Sequence, residues 1–504
     1  MTAQSHTGVL PDREQAPPSL SSRRGIAILL LLSLVQFMDI LDASILNIAL
    51  PSIKRDLGFS QQSLQWVVDG YILTYGGFLL LGARMADLLG RRLVLVTGLV
   101  VFASSSLIGG LAHTSSLLIG ARFAQGIGAA MLSPAALSTL TTTFRSARER
   151  HTALGVWGAV SGLGGAAGVL FGGILTEAAG WRWVLFVNVP LSAIALAGAF
   201  VLLKRDRIRA RLAHFDALGA LLVTGGMLLL VYALVKAPDV GWGTTRTVAE
   251  LAAAAVILAA FVVNELRVAN PLIPLSILRI KGVAVADATQ LVAGGGFVPM
   301  FFFLTLYMQT VLHYSPIQTG VAYLPLTAGF IISSGIASQL FGRIGTKPVI
   351  VAGAVIVAGG LYWLSRIPVD GSYTTDILPG LLVVSLGGGG VFVGVTTAAN
   401  AGVGEEKAGL AAGLLNTGQQ VGTALGLAIL SALATAHTHA LLRGGDTVAQ
   451  AATQGYGRAL LAGAGIVLAG GAVAMLAPNR RQTTQVPDEE REDEPAFRPR
   501  CLVR

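Results

Sequence analysis

Charged residues are rare inside the long apolar stretches of this chain, so each one found there is a candidate for chemistry. Asp39 and Asp42 fall within an apolar run at 26–50, Asp69 near the start of one at 66–85, and Arg122 within one at 117–140. A charge held in lipid costs several kcal/mol unless it is paired or neutralised by a proton. An acid and an arginine on neighbouring helices therefore suggest a pair that can exchange protons. At 1.5 Å per residue, Arg122 would lie roughly 8 Å and Asp42 roughly 12 Å below the same membrane boundary, close enough to meet. Asp42 is the first candidate for a proton-coupling carboxylate, with Arg122 as its partner and Asp39 one turn away. A purely structural role for Arg122, neutralising a buried acid with no proton transfer, is the alternative.

A second group of charges lies between apolar runs. The stretch GARMADLLGRR at 82–92 places Asp87, Gly90, Arg91 and Arg92 where a membrane helix meets water. Positive anchoring explains the arginines but not a carboxylate at the membrane edge. Asp69 reads either as a cavity residue or as an interfacial acid, and Asp287 either as a second titratable group or as an interfacial acid. Asn416 and Gln420 are four residues apart and share a helix face, suited to lining a cavity or to bonding between helices. Gln125 is a further cavity candidate. Glycines 162, 168, 172 and 173 belong to the run GAVSGLGGAAGVLFGG at 158–173, which supplies small-residue packing.

The elements that must position these groups follow from composition. With 504 residues, 53% of them hydrophobic and only 12% charged, the chain is too apolar for a soluble globular protein. Against a requirement of roughly 20 apolar residues per span, helices are expected near 26–50, 66–85, 93–112, 117–140, 152–175, 183–203, 215–235, 248–266, 284–311, 318–340, 348–365, 377–399, 408–434 and 458–477. That makes an all-α polytopic membrane protein with about fourteen spans. Most of the 35 lysines and arginines then fall on one side, which makes both termini cytoplasmic and the protein multi-pass in the cell membrane.

GRRLVLVTG at 90–98 aligns with GTKPVIVAG at 345–353, with Asp87 falling on Gly342 and Arg91 on Thr346. Weak repetition between two halves is a transporter signature. The expected organisation is a cytoplasmic N-terminal tail at 1–24, a six-helix bundle at 25–203, a two-helix insertion at 204–281, a second six-helix bundle at 282–477, and a charged, disordered cytoplasmic tail at 478–504.

Several motifs carry a resemblance to the major facilitator superfamily. Asp87, Gly90, Arg91 and Arg92 match the spacing of its loop signature, although Ala83 stands where the family has glycine. LDASILNIALP at 41–51 resembles the first-helix signature of the fourteen-helix drug:proton antiporter branch through Asp42, Asn47 and Pro51, with Ser44 replacing the usual threonine. RFAQGIGAAMLSP at 122–134 resembles the fourth-helix motif, and the 158–173 run resembles the antiporter motif with Val169 in place of the family's proline. WRWVLFVNVP at 181–190, YMQTVLHYSPIQTGVAYLP at 307–325 and GLLNTGQQVGTALG at 413–426 resemble further signatures, the first of low mechanistic weight because its indoles also suit an aromatic belt.

The resemblance implies a major facilitator fold, two six-helix bundles with two extra helices between them. It implies proton-driven efflux of lipophilic drugs or antibiotics by alternating access, with Asp87 and Arg91 joining the halves in the outward-facing state. A proton-coupled carrier of one metabolite is the alternative, and an enzyme or sensor would need a catalytic constellation that is not visible. No G-x-x-x-x-G-K-[ST] loop occurs, so the driving force expected is the proton motive force with no cofactor. GLGGAA lies inside an apolar span with no preceding strand and is no dinucleotide fingerprint. His437 and His439 do not suggest a metal site, and the single cysteine, Cys501, excludes an intrachain disulfide. The expected partners are the lipid bilayer, protons and a small lipophilic, cationic substrate, with no nucleic acid; the expected functional unit is a monomer.

Overall fold

A computed structural model describes residues 19–144, 146–203, 216–268, 280–400 and 405–479, with 271, 277 and 403 as isolated positions. Most of both polar tails and the basic stretch from 204 to 215 lie outside the described residues, as does the side chain of Asp87. The long helices are α1 (Arg23–Leu57), α2 (Trp66–Leu89), α3 (Arg91–Gly110), α4 (Ser115–Thr143), α5 (Ala147–Ala178), α6 (Asn188–Leu202), α7 (Ala217–Val240) and α8 (Thr245–Arg267). They continue with α9 (Lys281–Phe297), α10 (Leu324–Ile344), α11 (Thr346–Leu364), α12 (Leu378–Asn400), α13 (Glu405–Arg443) and α14 (Val448–Ala474). Short pieces extend some of them: Pro299–Leu306 and a π turn at Tyr307–Val311 continue α9, and Pro316–Ala322 leads into α10.

Among the described residues, 12 helices are long and apolar enough to cross a membrane. The other two long helices, α2 and α4, are not in that set, so length and apolarity support 12 spans where about fourteen were expected. Both helices carry buried polar side chains, Asp69 and Thr74 on α2 and Arg122 and Gln125 on α4. Other boundaries also move outward from the apolar runs. α1 continues through Pro51 to Leu57 and ends on Gly58 in a left-handed conformation, φ 67°. α14 starts at Val448 rather than near 458, because Thr447 and Gln450 form a capping box ahead of the apolar run.

Helices α1 to α6 pack mainly on one another, as do α9 to α14, and α2 meets α13 while α5 meets Pro316–Ala322. α7 touches both α2 and α13, and α8 packs chiefly on α7. Lipid gives no hydrophobic reason for helices to associate, so close backbone approach must hold them. α9 and α13 cross at glycines: a methyl on Gly295 would come 2.7 Å from the Gly422 carbonyl oxygen. The repeated loops share one geometry, a single glycine of positive φ joining consecutive helices, Gly90 at 97° and Gly345 at 86°.

The glycines of α5 divide by position. A methyl on Gly168 would meet Ser44 at 2.5 Å, one on Gly172 would meet the Ile45 carbonyl oxygen at 2.7 Å, and one on Gly173 would meet the Pro316 carbonyl oxygen at 2.6 Å. Gly162, expected to pack in the same way, has nothing within 4 Å, as do Gly155, Gly158 and Gly165. The close glycine contacts of α5 thus lie in its second half. Gly172→Ala should lower stability by about 1–3 kcal/mol, the usual cost of overpacking, while Gly162→Ala should be neutral or slightly stabilising. Thermal unfolding of the purified variants measures the difference.

Candidate functional site

The buried charges converge on a point between α1, α2, α3, α4 and α6. Asp42 on α1 is 0% exposed and Arg122 on α4 is 2% exposed, with Asp42 Oδ2 accepting from Arg122 Nη1 at 2.7 Å. The other oxygen, Oδ1, accepts from Gln125 Nε2 at 2.8 Å and from Asn188 Nδ2 at 2.6 Å. Gln125 also donates to Ser106 Oγ at 2.7 Å and accepts from Arg122 Nη1 at 2.6 Å. Arg122 Nε donates to the Val67 carbonyl at 3.0 Å, and its guanidinium carbon lies 4.3 Å from the centre of the Tyr71 ring. The carboxylate therefore has three donors, and the guanidinium is held by an acid, an amide, a carbonyl and an aromatic face. A buried pair is tolerated only when its remaining valences are satisfied in this way.

Asp39, one turn earlier on α1, is also buried but is not ion-paired with Arg122. It accepts from Tyr71 and Tyr75, each at 2.8 Å. Tyr71 thus touches both acids' environments, binding Asp39 through its hydroxyl and Arg122 through its ring. The Tyr75 hydroxyl also faces Ser133 and Asn416, so the network reaches α13.

Several expected roles change. Gln125, a cavity candidate, is fully buried and both ends of its amide are engaged, so it orients Asp42 rather than lining an opening. Asp69 does not face water: it is 0% exposed and neither oxygen has a hydrogen-bond partner among the described residues. Asn416 and Gln420 are half-buried, and Gln420 presses on Gly76 of α2. Arg91 Nη1 donates to Thr142 at 2.8 Å, and Arg92 donates to the Phe200 carbonyl at 3.1 Å, both within the first group of helices.

Sequence reasoning missed Asn188, Ser106, Tyr71 and Tyr75. Asn188 sits in the WRWVLFVNVP stretch judged by its tryptophans, yet a lone asparagine in an apolar run was the signal available. Asp69, Tyr71 and Tyr75 also cluster in one half of α2.

Across the seam between the two groups of helices, contacts gather at the end where α1 and α5 finish. Gln309 Nε2 donates to the Ile48 carbonyl at 2.9 Å, and Glu177 of α5 accepts the Ile317 N–H at 3.1 Å at the start of Pro316–Ala322. A methyl on Gly320 would come 2.5 Å from the Val169 carbonyl oxygen. The first half of α5, with its uncovered glycines, lies toward the opposite end.

Residues 32–427 match the Major Facilitator Superfamily, and the chain belongs to that family of membrane transporters; it is not an enzyme. It is 42% identical over 427 residues to the puromycin resistance protein pur8 of Streptomyces alboniger, covering 83% of this chain and 84% of that one. It is 42% identical over 411 residues to the cephamycin export protein CmcT of Amycolatopsis lactamdurans, covering 80% and 83%. In fold it is similar to a bacterial homolog of the human lysosomal transporter Spinster, with a TM-score of 0.61 and 16% identity over 90% of this chain and 96% of that one.

Two outcomes follow from this geometry. Arg122→Ala strands a buried carboxylate and should cost about 3–5 kcal/mol, whereas Asp42→Asn with Arg122→Gln should lose less than the two single changes summed; thermal unfolding of the purified proteins checks both. In a Cys501→Ser background, Glu177→Ala should speed alkylation of a cysteine placed at Val169, because the seam loses the acceptor of the Ile317 N–H that helps hold it shut.

Proposed function

We propose that the protein is a proton-driven exporter of lipophilic drugs or antibiotics in the cytoplasmic membrane, of the fourteen-helix drug:proton antiporter type. The observation that carries this is the buried Asp42–Arg122 pair with its complete set of donors, on helices that resemble the antiporter signatures. Relatives named for antibiotic resistance and export, alike over four-fifths of the chain, support the direction and the substrate class.

In this reading α2 and α4 also cross the membrane. Each is long enough to span, and their buried polar side chains point at neighbouring helices rather than at lipid. The bundles at 25–203 and 282–477 rock against each other, with the insertion at 204–281 beside them and both termini in the cytoplasm. The contacts of Gln309, Glu177 and Gly320 close the outer end, and the half of α5 that begins at Ala147 faces the cytoplasm.

A proton arriving at Asp42 removes the charge that Arg122, Gln125 and Asn188 hold. Arg122 is then left facing Tyr71 and the Val67 carbonyl, and the packing of α1 on α4 and α6 loosens. That change at the core of the first bundle is what the seam reads. In the opposite state Asp87 and Arg91 take over, joining the bundles at the cytoplasmic end.

A pump-deficient host carrying the wild type should show raised tolerance across a panel of antibiotics, and Asp42→Asn should abolish it with expression unchanged. In inverted vesicles, substrate should accumulate when the lumen is acidified. Reconstituted Asp42→Asn that still exports against a gradient and responds to imposed pH would refute the coupling role. Accumulation with the opposite proton dependence would favour an importer.

A further inference from the structure

The mechanism above acts through Asp42 and leaves its neighbour Asp39 without a task. Asp39 is 2% exposed, and each of its oxygens meets a tyrosine of α2, Oδ1 accepting from Tyr71 and Oδ2 from Tyr75, both at 2.8 Å. The two tyrosines are not equivalent. Among the described residues the Tyr71 hydroxyl hydrogen-bonds only to Asp39, and its ring lies against the Arg122 guanidinium. The Tyr75 hydroxyl faces two further groups, Ser133 of α4 and Asn416 of α13.

Asn416 puts this tyrosine at the boundary between the bundles. α2 belongs to the first group of helices and α13 to the second, and they touch at the residue after Tyr75: a methyl on Gly76 would come 2.8 Å from Gln420 Cβ. Gln420 lies one turn beyond Asn416 on α13. A buried acid of the first bundle is therefore joined to the second through one hydroxyl.

The other ionisable groups around Asp39 belong to the first bundle. Asp42 is one turn further along α1, and Asp69 is two residues before Tyr71 on α2. Arg122, the only charge on α4, lies behind the Tyr71 ring and is paired with Asp42. α6 and Pro299–Leu306 contain no charged residue, and α5 has none between His151 and Glu177. α13 has no acid, lysine or arginine between Lys407 and Arg443, so along that stretch it meets Asp39 through the Tyr75 hydroxyl and not through a charge.

A phenol has one proton to donate and two lone pairs with which to accept. An ionised Asp39 only accepts, so both tyrosines donate to it and Tyr75 offers Asn416 an acceptor alone. A proton added to Asp39 turns one of its oxygens into a donor, and one tyrosine must reverse. Tyr71 has no other acceptor among the described residues, and a buried hydroxyl left unpaired is costly. Tyr75 reverses instead: Asp39 Oδ2 donates to the Tyr75 oxygen, and the Tyr75 proton swings by rotation about its C–O bond to Asn416 Oδ1. One proton is gained, at Asp39, no covalent bond of Tyr75 breaks, and Asn416 turns its amide over.

We propose that Tyr75 is a positioning residue of proton coupling, which reports the protonation of Asp39 to α13 by reversing the direction of its hydrogen bond across the seam. Asp42 then acts inside the first bundle and Asp39 between the bundles. The assignment rests on the proton-driven reading and adds the route by which the second bundle senses the proton.

The test uses full-length Cys501→Ser protein in lipid nanodiscs, spin-labelled at cysteines replacing Leu111 and Arg366, which are exposed at the outer ends of opposite bundles. Pulsed dipolar distances give the ratio of outer-open to outer-closed protein at acid and at neutral pH. Tyr75→Phe keeps the ring and should shrink the pH-driven change in that ratio by about fivefold, the worth of one hydrogen bond. Asn416→Leu should do the same from the other side of the seam, and neither should add to the loss seen in Asp39→Asn. A merely structural Tyr75 would lower thermal stability and leave the pH response in place. An unchanged response in Tyr75→Phe or in Asn416→Leu, losses that add to that of Asp39→Asn, or a wild type whose ratio ignores pH overturns the assignment. Drug tolerance in the pump-deficient host separates the two claims: tolerance with an unchanged Tyr75→Phe response sinks this route alone, and a Tyr75-dependent response without tolerance sinks the exporter reading alone.

Discussion

The ion pair of Asp42 and Arg122 is the constraint around which the first six helices are arranged. Neither charge can be exposed to lipid, and neither is tolerated in the interior without its full complement of partners. Five helices therefore have to bring side chains or backbone to one point: α1 supplies the acid, α4 the arginine and Gln125, α3 Ser106, α6 Asn188, and α2 the Val67 carbonyl and the Tyr71 ring. Such a network specifies one packing among many that apolar helices could adopt. It also makes a single proton consequential, since neutralising Asp42 removes the charge that answers Arg122.

Glycine supplies the complementary device. Where the ion pair fixes which helices meet, bare backbone lets them meet closely. Gly168 and Gly172 seat α5 on α1, Gly173 and Gly320 seat α5 against the second group of helices, and Gly295 with Gly422 seats α9 on α13. These contacts are strong in dispersion yet contain no interlocked side chains, which suits surfaces that must slide or part. The polar contacts at the end of the seam are single hydrogen bonds, an exposed one from Ile317 to Glu177 and a part-buried one from Gln309 to Ile48, so they bias a rocking motion without preventing it.

Asp42 and Asp39 are saturated by donors, whereas Asp69 in the first group of helices and Asp287 in the second have no hydrogen-bond partner among the described residues. The loops that repeat between the groups, at Gly90 and Gly345, share their backbone geometry while their charged residues have diverged.

The sequence by itself determined the membrane class, the helical content and the pairing of Asp42 with Arg122, because apolar runs must span lipid and a charge inside one must be answered by another. It also located the glycine turns, since only glycine adopts the positive φ that Gly90 and Gly345 require. It did not determine helix ends that are polar, as at Val448, because a polar capping box ahead of an apolar run adds no hydrophobic signal. Only the tertiary structure decided which polar residues converge. Gln125 and Asn188 became ligands of Asp42, Gly162 lost its packing role, and Asp69 and Asp287 proved to be buried rather than interfacial. Each depends on which face of a helix meets which neighbour, and in a chain where nearly every face is apolar the hydrophobic pattern carries too little contrast to fix it.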